Sequence, residues 1–259
     1  MEKKEPMFFD FAAEAGLTKH FGGIGATEEL AESCHIGEGK YVLDVGCGVG
    51  VTPCFLARRY DCRVVGVDVL ERMIERSRER ARRERVGDRV EFRVADAQDL
   101  PFEDGLFDAV ITESATAFPK DKQRAVNEYV RVTKPGGYVG LSESTWLKVP
   151  PPPELIAWVS QDVGATVTPL TSDAWAGLLE DAGLREIVVR LYNVNAGNEA
   201  KELLRRYGCR GMLGSLLRGL SLYARSSAYR RFVKGVRECG VVPESLNEYF
   251  GYGMYVGRK

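Results

Sequence analysis

The segment Val42-Leu-Asp-Val-Gly-Cys-Gly-Val-Gly50 constrains this chain more than any other. A short apolar run meets an acid, Asp44, and then glycines at 46, 48 and 50. Such a run reads as a buried strand entering a tight turn that opens a helix. Glycine there permits positive φ and, lacking Cβ, lets a ligand lie against the backbone. The pattern implies a nucleotide-like cofactor. A nicotinamide or flavin site would carry G-x-G-x-x-G. Here the third glycine comes one residue early and Val51 takes its expected place. Asp44 also suits a cationic ligand better than a pyrophosphate.

Strands and helices alternate along the chain. Strands are expected at Tyr41–Val45, Arg63–Asp68, Val90–Val94, Phe107–Thr112 and Tyr138–Ser142. Helices are expected over Thr52–Tyr60, Glu71–Arg85 and Lys120–Val132, the last stopped by Lys134-Pro-Gly-Gly137. This alternation predicts an α/β fold, a parallel sheet covered by helices on both faces. Ligands of such sheets sit beyond the carboxyl ends of the strands. Ahead of the sheet, residues 8–35 read as amphipathic helix broken at Gly22-Gly23 and Gly25, with Thr27-Glu-Glu-Leu as a helix start. Beyond it, Pro150–Pro153 reads as a stiff extended spacer. A helix over Thr171–Ala182 and strands at Leu184–Val194 and Tyr249–Gly257 follow, with a helical insertion over about 196–240 between those two strands.

At 259 residues the chain is long enough for one core with a cap. The net charge of −1 gives no global drive toward nucleic acid. No apolar run approaches the roughly 20 residues of a membrane span, and the start Met-Glu-Lys-Lys-Glu-Pro lacks the apolar core of a secretory signal. A cytoplasmic location is the resulting expectation. The six cysteines form no C-x-x-C pair and only two histidines accompany them, so reduced thiols are expected and no metal site. A thiol-dependent activity such as arsenite handling is a weaker alternative.

Four separated blocks, VLDVGCGVG, GVD ending at Asp68, ADAQDLPFEDGLFDAVITES and RVTKPGGYVGLSE, stand in order between residues 40 and 145. Together they resemble the class I S-adenosylmethionine-dependent methyltransferases, and the third block is similar to the subgroup acting on small molecules, quinones and lipids. The resemblance implies a single Rossmann-like domain over 1–259 with a seven-stranded sheet ordered 3-2-1-4-5-7-6. In it, residues 1–39 form a helical lid, 40–145 the cofactor-binding core, and 146–259 the rest of the sheet with the substrate cap. It implies S-adenosyl-L-methionine as cofactor and S-adenosyl-L-homocysteine as product. Asp44 would then meet the cofactor's cationic end, and Gly46, Cys47, Gly48 and Gly50 would clear room for its methionine and ribose portions. Asp68 would accept the ribose hydroxyls, flanked by Val69 and Met73. Asp96, Ala97 and Gln98 would hold the adenine edge. Glu113 and Ser114 would stand where sulfonium and acceptor meet.

Because the sulfonium is already activated, the protein chiefly positions the partners, and a base is needed only for some nucleophiles. Candidate catalytic groups are Glu113, Glu143 and His20, with Glu143 placed just past strand five at the reactive rim. His35 and Trp146 are lesser candidates, and Phe8, Phe9, Phe11 and Phe21 suggest an aromatic lid. Between Arg190 and Arg237, eleven lysines and arginines face only Glu199 and Glu202. This basic stretch, rich in leucine, reads as a cap with solvated arginines, as recognition of an anionic or lipidic acceptor, or as peripheral membrane contact. The expected partner is a small or lipophilic methyl acceptor. Nucleic acid is disfavoured because no Asn-Pro-Pro-Tyr-type motif follows strand four. A non-catalytic cofactor-binding or structural role is the alternative class.

Overall fold

A computed structural model describes residues 8–259 apart from 19, 163–168, 195, 239–242 and 244. The elements in order are α1 (Phe8–Ala15), α2 (Gly23–Ser33), β1 (Tyr41–Val45), α3 (Val51–Tyr60), β2 (Arg63–Asp68), α4 (Glu71–Glu84), β3 (Val90–Val94), β4 (Phe107–Glu113), α5 (Lys122–Val132) and β5 (Thr133–Trp146). They continue with α6 (Pro153–Asp162), β6 (Leu170–Thr171), α7 (Ser172–Asp181), β7 (Arg185–Asn193), α8 (Ala196–Arg225), α9 (Ser227–Glu238), α10 (Leu246–Tyr249) and β8 (Phe250–Arg258). The sheet order is β3-β2-β1-β4-β5-β8-β7, with β6 pairing β5 off this path. Setting aside the two-residue β6, this is the expected 3-2-1-4-5-7-6. The last strand slots antiparallel between β5 and β7.

Strand alternation builds the two-layer cover. Val42, Val64, Ala109 and Ile111 face Leu30 of α2, Leu56 of α3 and Ile74 of α4. Leu43, Val65, Val110 and Leu141 face Val126 and Tyr129 of α5 and Trp175 of α7. The charged α4 is held by Met73, Ile74, Ser77 and Ala81, the face buried at helical spacing. Asp121 starts α5 by accepting from the Arg124 amide at 2.9 Å.

Three local expectations are corrected. Thr27 lies inside α2 rather than at its start, because the helix begins from Gly22, whose φ of 73° glycine adopts without strain. The proline run is not all spacer: Pro153 opens α6, where its missing N–H costs nothing. The fifth strand continues to Trp146 because β8 pairs it from Tyr138 through Trp146.

That extension moves Glu143. The sequence placed it past the strand at the rim, whereas it lies within β5 and is 0% exposed. Its Oε1 accepts from the amides of Ala115 at 2.9 Å and Thr116 at 2.6 Å. Glu143 therefore anchors the loop that leaves β4. Burial pushes its carboxyl up to about 7, against the opposing pull of the Thr116 and Ala115 amides. A folded-state value raised this way contributes stability that is present below the unfolded value near 4.5 and lost as pH rises through about 7. Urea unfolding of Glu143→Gln and wild type at a series of pH values should therefore show the difference in stability moving in the variant's favour by about 3 kcal/mol between pH 4.5 and 8. A flat difference would mean the carboxyl is not buried as described.

Candidate active site

The turn after β1 is built by its neighbours. The amides of Gly46 and Cys47 both donate to the Val67 carbonyl, at 2.8 and 2.9 Å. Ser77 Oγ donates to Gly48 O at 2.8 Å and Arg80 Nε to Val49 O at 2.8 Å, so α4 holds the turn from outside. Gly50 has φ 76°, and a Cβ there would lie 2.9 Å from the Ser77 Cα. Gly46 (φ 77°) faces Ala115, and Gly48 (φ 53°) faces Thr18 of the lid. Cys47 packs its buried sulfur against Gly66 and toward the Gly48 carbonyl.

Asp44 is 2% exposed, and its Oδ2 is buried with no hydrogen-bond partner. Burial, then the neighbouring Glu113 charge, pushes its carboxyl well above the usual range, while Arg206 pulls it back down. An uncompensated buried carboxylate is costly, and a cationic ligand with N–H donors would satisfy it. Parallel pairing of β1 with β4 brings Glu113 to the same end of the sheet. Glu113 Oε1 accepts from Thr27 Oγ1 at 2.8 Å and Oε2 from Thr52 Oγ1 at 2.6 Å. His20 of the lid sits with Nε2 3.5 Å from Glu113 Oε2 and Nδ1 3.1 Å from the Phe21 carbonyl. In the neutral tautomer protonated at Nδ1 the ring donates to the Phe21 carbonyl and keeps Nε2, beside Glu113 Oε2 and 3.4 Å from Thr27 Oγ1, as a proton acceptor. Next door, Ser114 takes a left-handed φ of 55°, its amide donating to Ser142 O at 2.7 Å. Non-glycine residues held in that region cluster at functional sites.

Asp68 ends β2 and accepts from the amides of Gly48 and Leu70, each at 3.0 Å. Each oxygen keeps a further lone pair for a ribose hydroxyl. Val69 is 65% exposed beside it, an apolar surface open to a ring. Met73 is buried instead against Ile24, Val49 and Val51, and supports the turn from within the core. Asp96 is exposed and makes an Asx turn, its Oδ1 accepting from the Gln98 amide at 2.8 Å. Gln98 in turn accepts from the Asp121 amide at 3.0 Å, and Ala97 packs partly into the core between them. The buried donors and acceptors, the glycine cradle and the Asp68 carboxylate fit an S-adenosylmethionine-like molecule.

The lid and cap close over this end. Tyr207 of α8 locks residue 18 of the lid, accepting from the Thr18 amide at 2.8 Å and donating to its carbonyl at 2.7 Å. Phe9 meets Phe118 edge-on, and Phe11 packs on Tyr229 and Phe232 of α9. Phe8 carries no described side chain. Phe21 stacks on Tyr252 and meets Phe250, which in turn meets Trp146. His35 stands apart, on Tyr138 near the amino end of β5, and is removed from the candidates by that position. Burial pushes the thiols of Cys34 and Cys54 up to about 12 and Cys62 to about 11, so these sulfurs are poor nucleophiles. Sequence reasoning missed Thr27, Thr52 and Arg206. The first two are ordinary helix residues in the sequence, and Arg206 is one of many arginines in its segment.

A family model described as a methyltransferase domain matches residues 43–141. An uncharacterized protein of Haemophilus influenzae is 32% identical over 71% of this chain and 74% of its own length. The 27-O-demethylrifamycin SV methyltransferase of Amycolatopsis mediterranei is 34% identical over 61% of this chain, a match that spans 58% of that enzyme. Among solved structures, the [4+2]-cyclase SpnF superposes with a TM-score of 0.72 at 20% identity, covering 97% of this chain and 93% of that one. That likeness is one of fold alone. The matched domain begins in the strand that carries Asp44 and ends within β5, two residues short of Glu143, and it encloses the cradle, Asp44 and Glu113. The chain belongs to the class I S-adenosylmethionine-dependent methyltransferases.

Proposed function

We propose that the protein methylates N, C or O of a small or lipophilic acceptor bound under the lid, with His20 and Glu113 handling the acceptor's proton. The observation that carries this reading is the buried His20–Glu113 contact, fixed on the Glu113 side by hydroxyl donors from α2 and α3. When bound, S-adenosylmethionine supplies an activated methyl group and departs as a neutral thioether. Asp44 would take its ammonium, Asp68 its ribose hydroxyls, and the Asp96 turn with Ala97 and Gln98 its adenine edge, beneath Val69. Thr27 and Thr52 hold Glu113 still, so His20 keeps one orientation toward an acceptor entering beside Ser114. A neutral amine needs no base; a phenol or enol delivers its proton to His20. Phe21, Trp146, Phe250 and Tyr252 supply an apolar wall for the acceptor's body.

An acceptor drawn from a membrane surface is the second reading. It is supported by Leu213, Leu216, Leu217 and Leu220, which are 57–59% exposed at helical spacing on α8. Among the described residues no helix is long and apolar enough to cross a membrane. A cytoplasmic setting is part of the proposal, supported by the free thiols of Cys34, Cys47, Cys54, Cys62 and Cys209.

Cofactor consumption should be screened against amines, phenols, quinone precursors, phospholipids and arsenite. Turnover of none by folded protein that binds S-adenosylhomocysteine would leave the non-catalytic role in its place. With an acceptor in hand, His20→Ala should lower kcat about a hundredfold while calorimetric affinity for S-adenosylhomocysteine stays within about twofold; a parallel loss of affinity would make His20 a cofactor ligand. Asp44→Asn should weaken S-adenosylhomocysteine at least tenfold but leave 5′-methylthioadenosine, which lacks the amino-acid end, unchanged. Flotation should show binding to phosphatidylglycerol vesicles that Leu217→Ser/Leu220→Ser abolishes; wild-type protein that stays off both anionic and neutral vesicles removes the membrane reading.

A further inference from the structure

The cap helix α8 is amphipathic the wrong way round. Its leucines at 213, 216, 217 and 220 point outward, while Tyr207, Gly208, Gly211, Gly214, Ser215 and Arg218 face inward onto a cleft of about 690 Å³. The opposite wall is α4 with part of α3, and the floor includes Val49 and Val51 of the cofactor turn. Asp44, Asp68, Glu113 and His20 do not line it. Eight arginines from α3, α4 and α8 line the cleft against three glutamates. Those carboxylates are taken: Glu28 by Arg205, Glu79 by Arg76, and Glu84 by both Arg58 and Arg80. Arg83, Arg206, Arg210 and Arg218 have no carboxylate within ion-pair distance among the described residues.

Arg206 is the decisive member. Its Nε and Nη1 are buried and bond to nothing, a state that costs free energy until an anion satisfies it. Arg218 is pushed below the usual arginine range by burial and then by the charges of Arg76, Arg83 and Arg80. The cleft gathers these guanidiniums from two walls, Arg83 on α4 and Arg206, Arg210 and Arg218 on α8. The glycines point the same way. The helix breaks at Gly208, whose φ of 64° glycine adopts without strain, and each glycine inside a helix costs about 1 kcal/mol relative to alanine, yet Gly211 and Gly214 both follow on the cleft side. Gly208, with φ 64°, has open space where a Cβ would stand. Bare backbone beside guanidinium forks suits a ligand with several oxygens lying close against the helix.

We propose that this cleft is a binding site, separate from the methyl-transfer site, for an organic anion bearing a phosphate or diphosphate group. Two or more negative charges are needed to answer four guanidiniums that lack a carboxylate, of which Arg218 donates, among the described residues, only to Ala15 O and Ser215 Oγ, and phosphate oxygens accept from the arginine fork in pairs. The cleft volume lies in the range of small-molecule sites. The bound anion bridges α4 and α8 and seats the cap on the core.

Calorimetry with pyrophosphate at constant ionic strength tests it, with chloride as the control and S-adenosylhomocysteine titrated in parallel. The expected result is saturable one-to-one binding that Arg83→Glu/Arg210→Glu weakens at least tenfold, with S-adenosylhomocysteine affinity within about twofold of wild type; that second titration also reports that the variant is folded. Absence of saturable heat, an equal response to chloride, or unchanged affinity in the variant overturns the proposal. Phosphatidic acid vesicles that bind and are displaced by pyrophosphate would identify a lipid headgroup as the source of the phosphate. A response to RNA with none to pyrophosphate overturns the proposal in favour of nucleic acid.

Discussion

Two carboxylates buried at the ends of adjacent parallel strands set the character of this protein. Asp44 and Glu113 arrive there because β1 and β4 pair in parallel and in register. Burial raises the cost of a charge on Asp44, and the neighbouring Glu113 raises it further. The surrounding structure answers Glu113 with hydroxyls from α2 and α3 and sets an imidazole from the lid beside it. It leaves Asp44 open on one oxygen. That asymmetry turns a liability of burial into a receptor for positive charge: one acid is tied down as a fixed part of the transfer site, the other waits for a ligand.

The loops around these acids are held as firmly as the strands. Glu143 pins the segment after β4 through two backbone amides. Ser77 and Arg80 pin the glycine turn from α4. The lid is fastened to the cap by Tyr207, which closes both hydrogen-bonding groups of residue 18. Lid, cap and cradle are therefore one connected unit, so that events in the cap cleft and at the methyl donor share a wall. Arg206 stands in that wall, since its charge acts on Asp44 while its side chain lines the cleft.

The core of the sheet was legible because its signals are local. Strand, acid and glycine turn follow one another within nine residues, and the helices carry their own apolar faces and stops. Glu143 was misplaced because the length of β5 is set by β8, a partner more than a hundred residues away whose pairing leaves no mark beside Glu143. Thr27 and Thr52 were overlooked because a threonine on a helix gives no hint of the carboxylate it will meet. Among the arginines of α8, sequence neighbours cannot distinguish those that reach water from the one whose nitrogens are shut inside.

The amino-acid sequence by itself determined the α/β class and the acid-and-glycine cradle, because each rests on residues close together in the chain and on their backbone preferences; the strand order came only with the family resemblance. Only the tertiary structure decided which charges are satisfied. Whether a carboxylate or guanidinium is paired depends on what packs over it from distant elements, and in a low-dielectric interior that pairing, rather than the residue's identity, makes it an anchor, a receptor or a site in waiting.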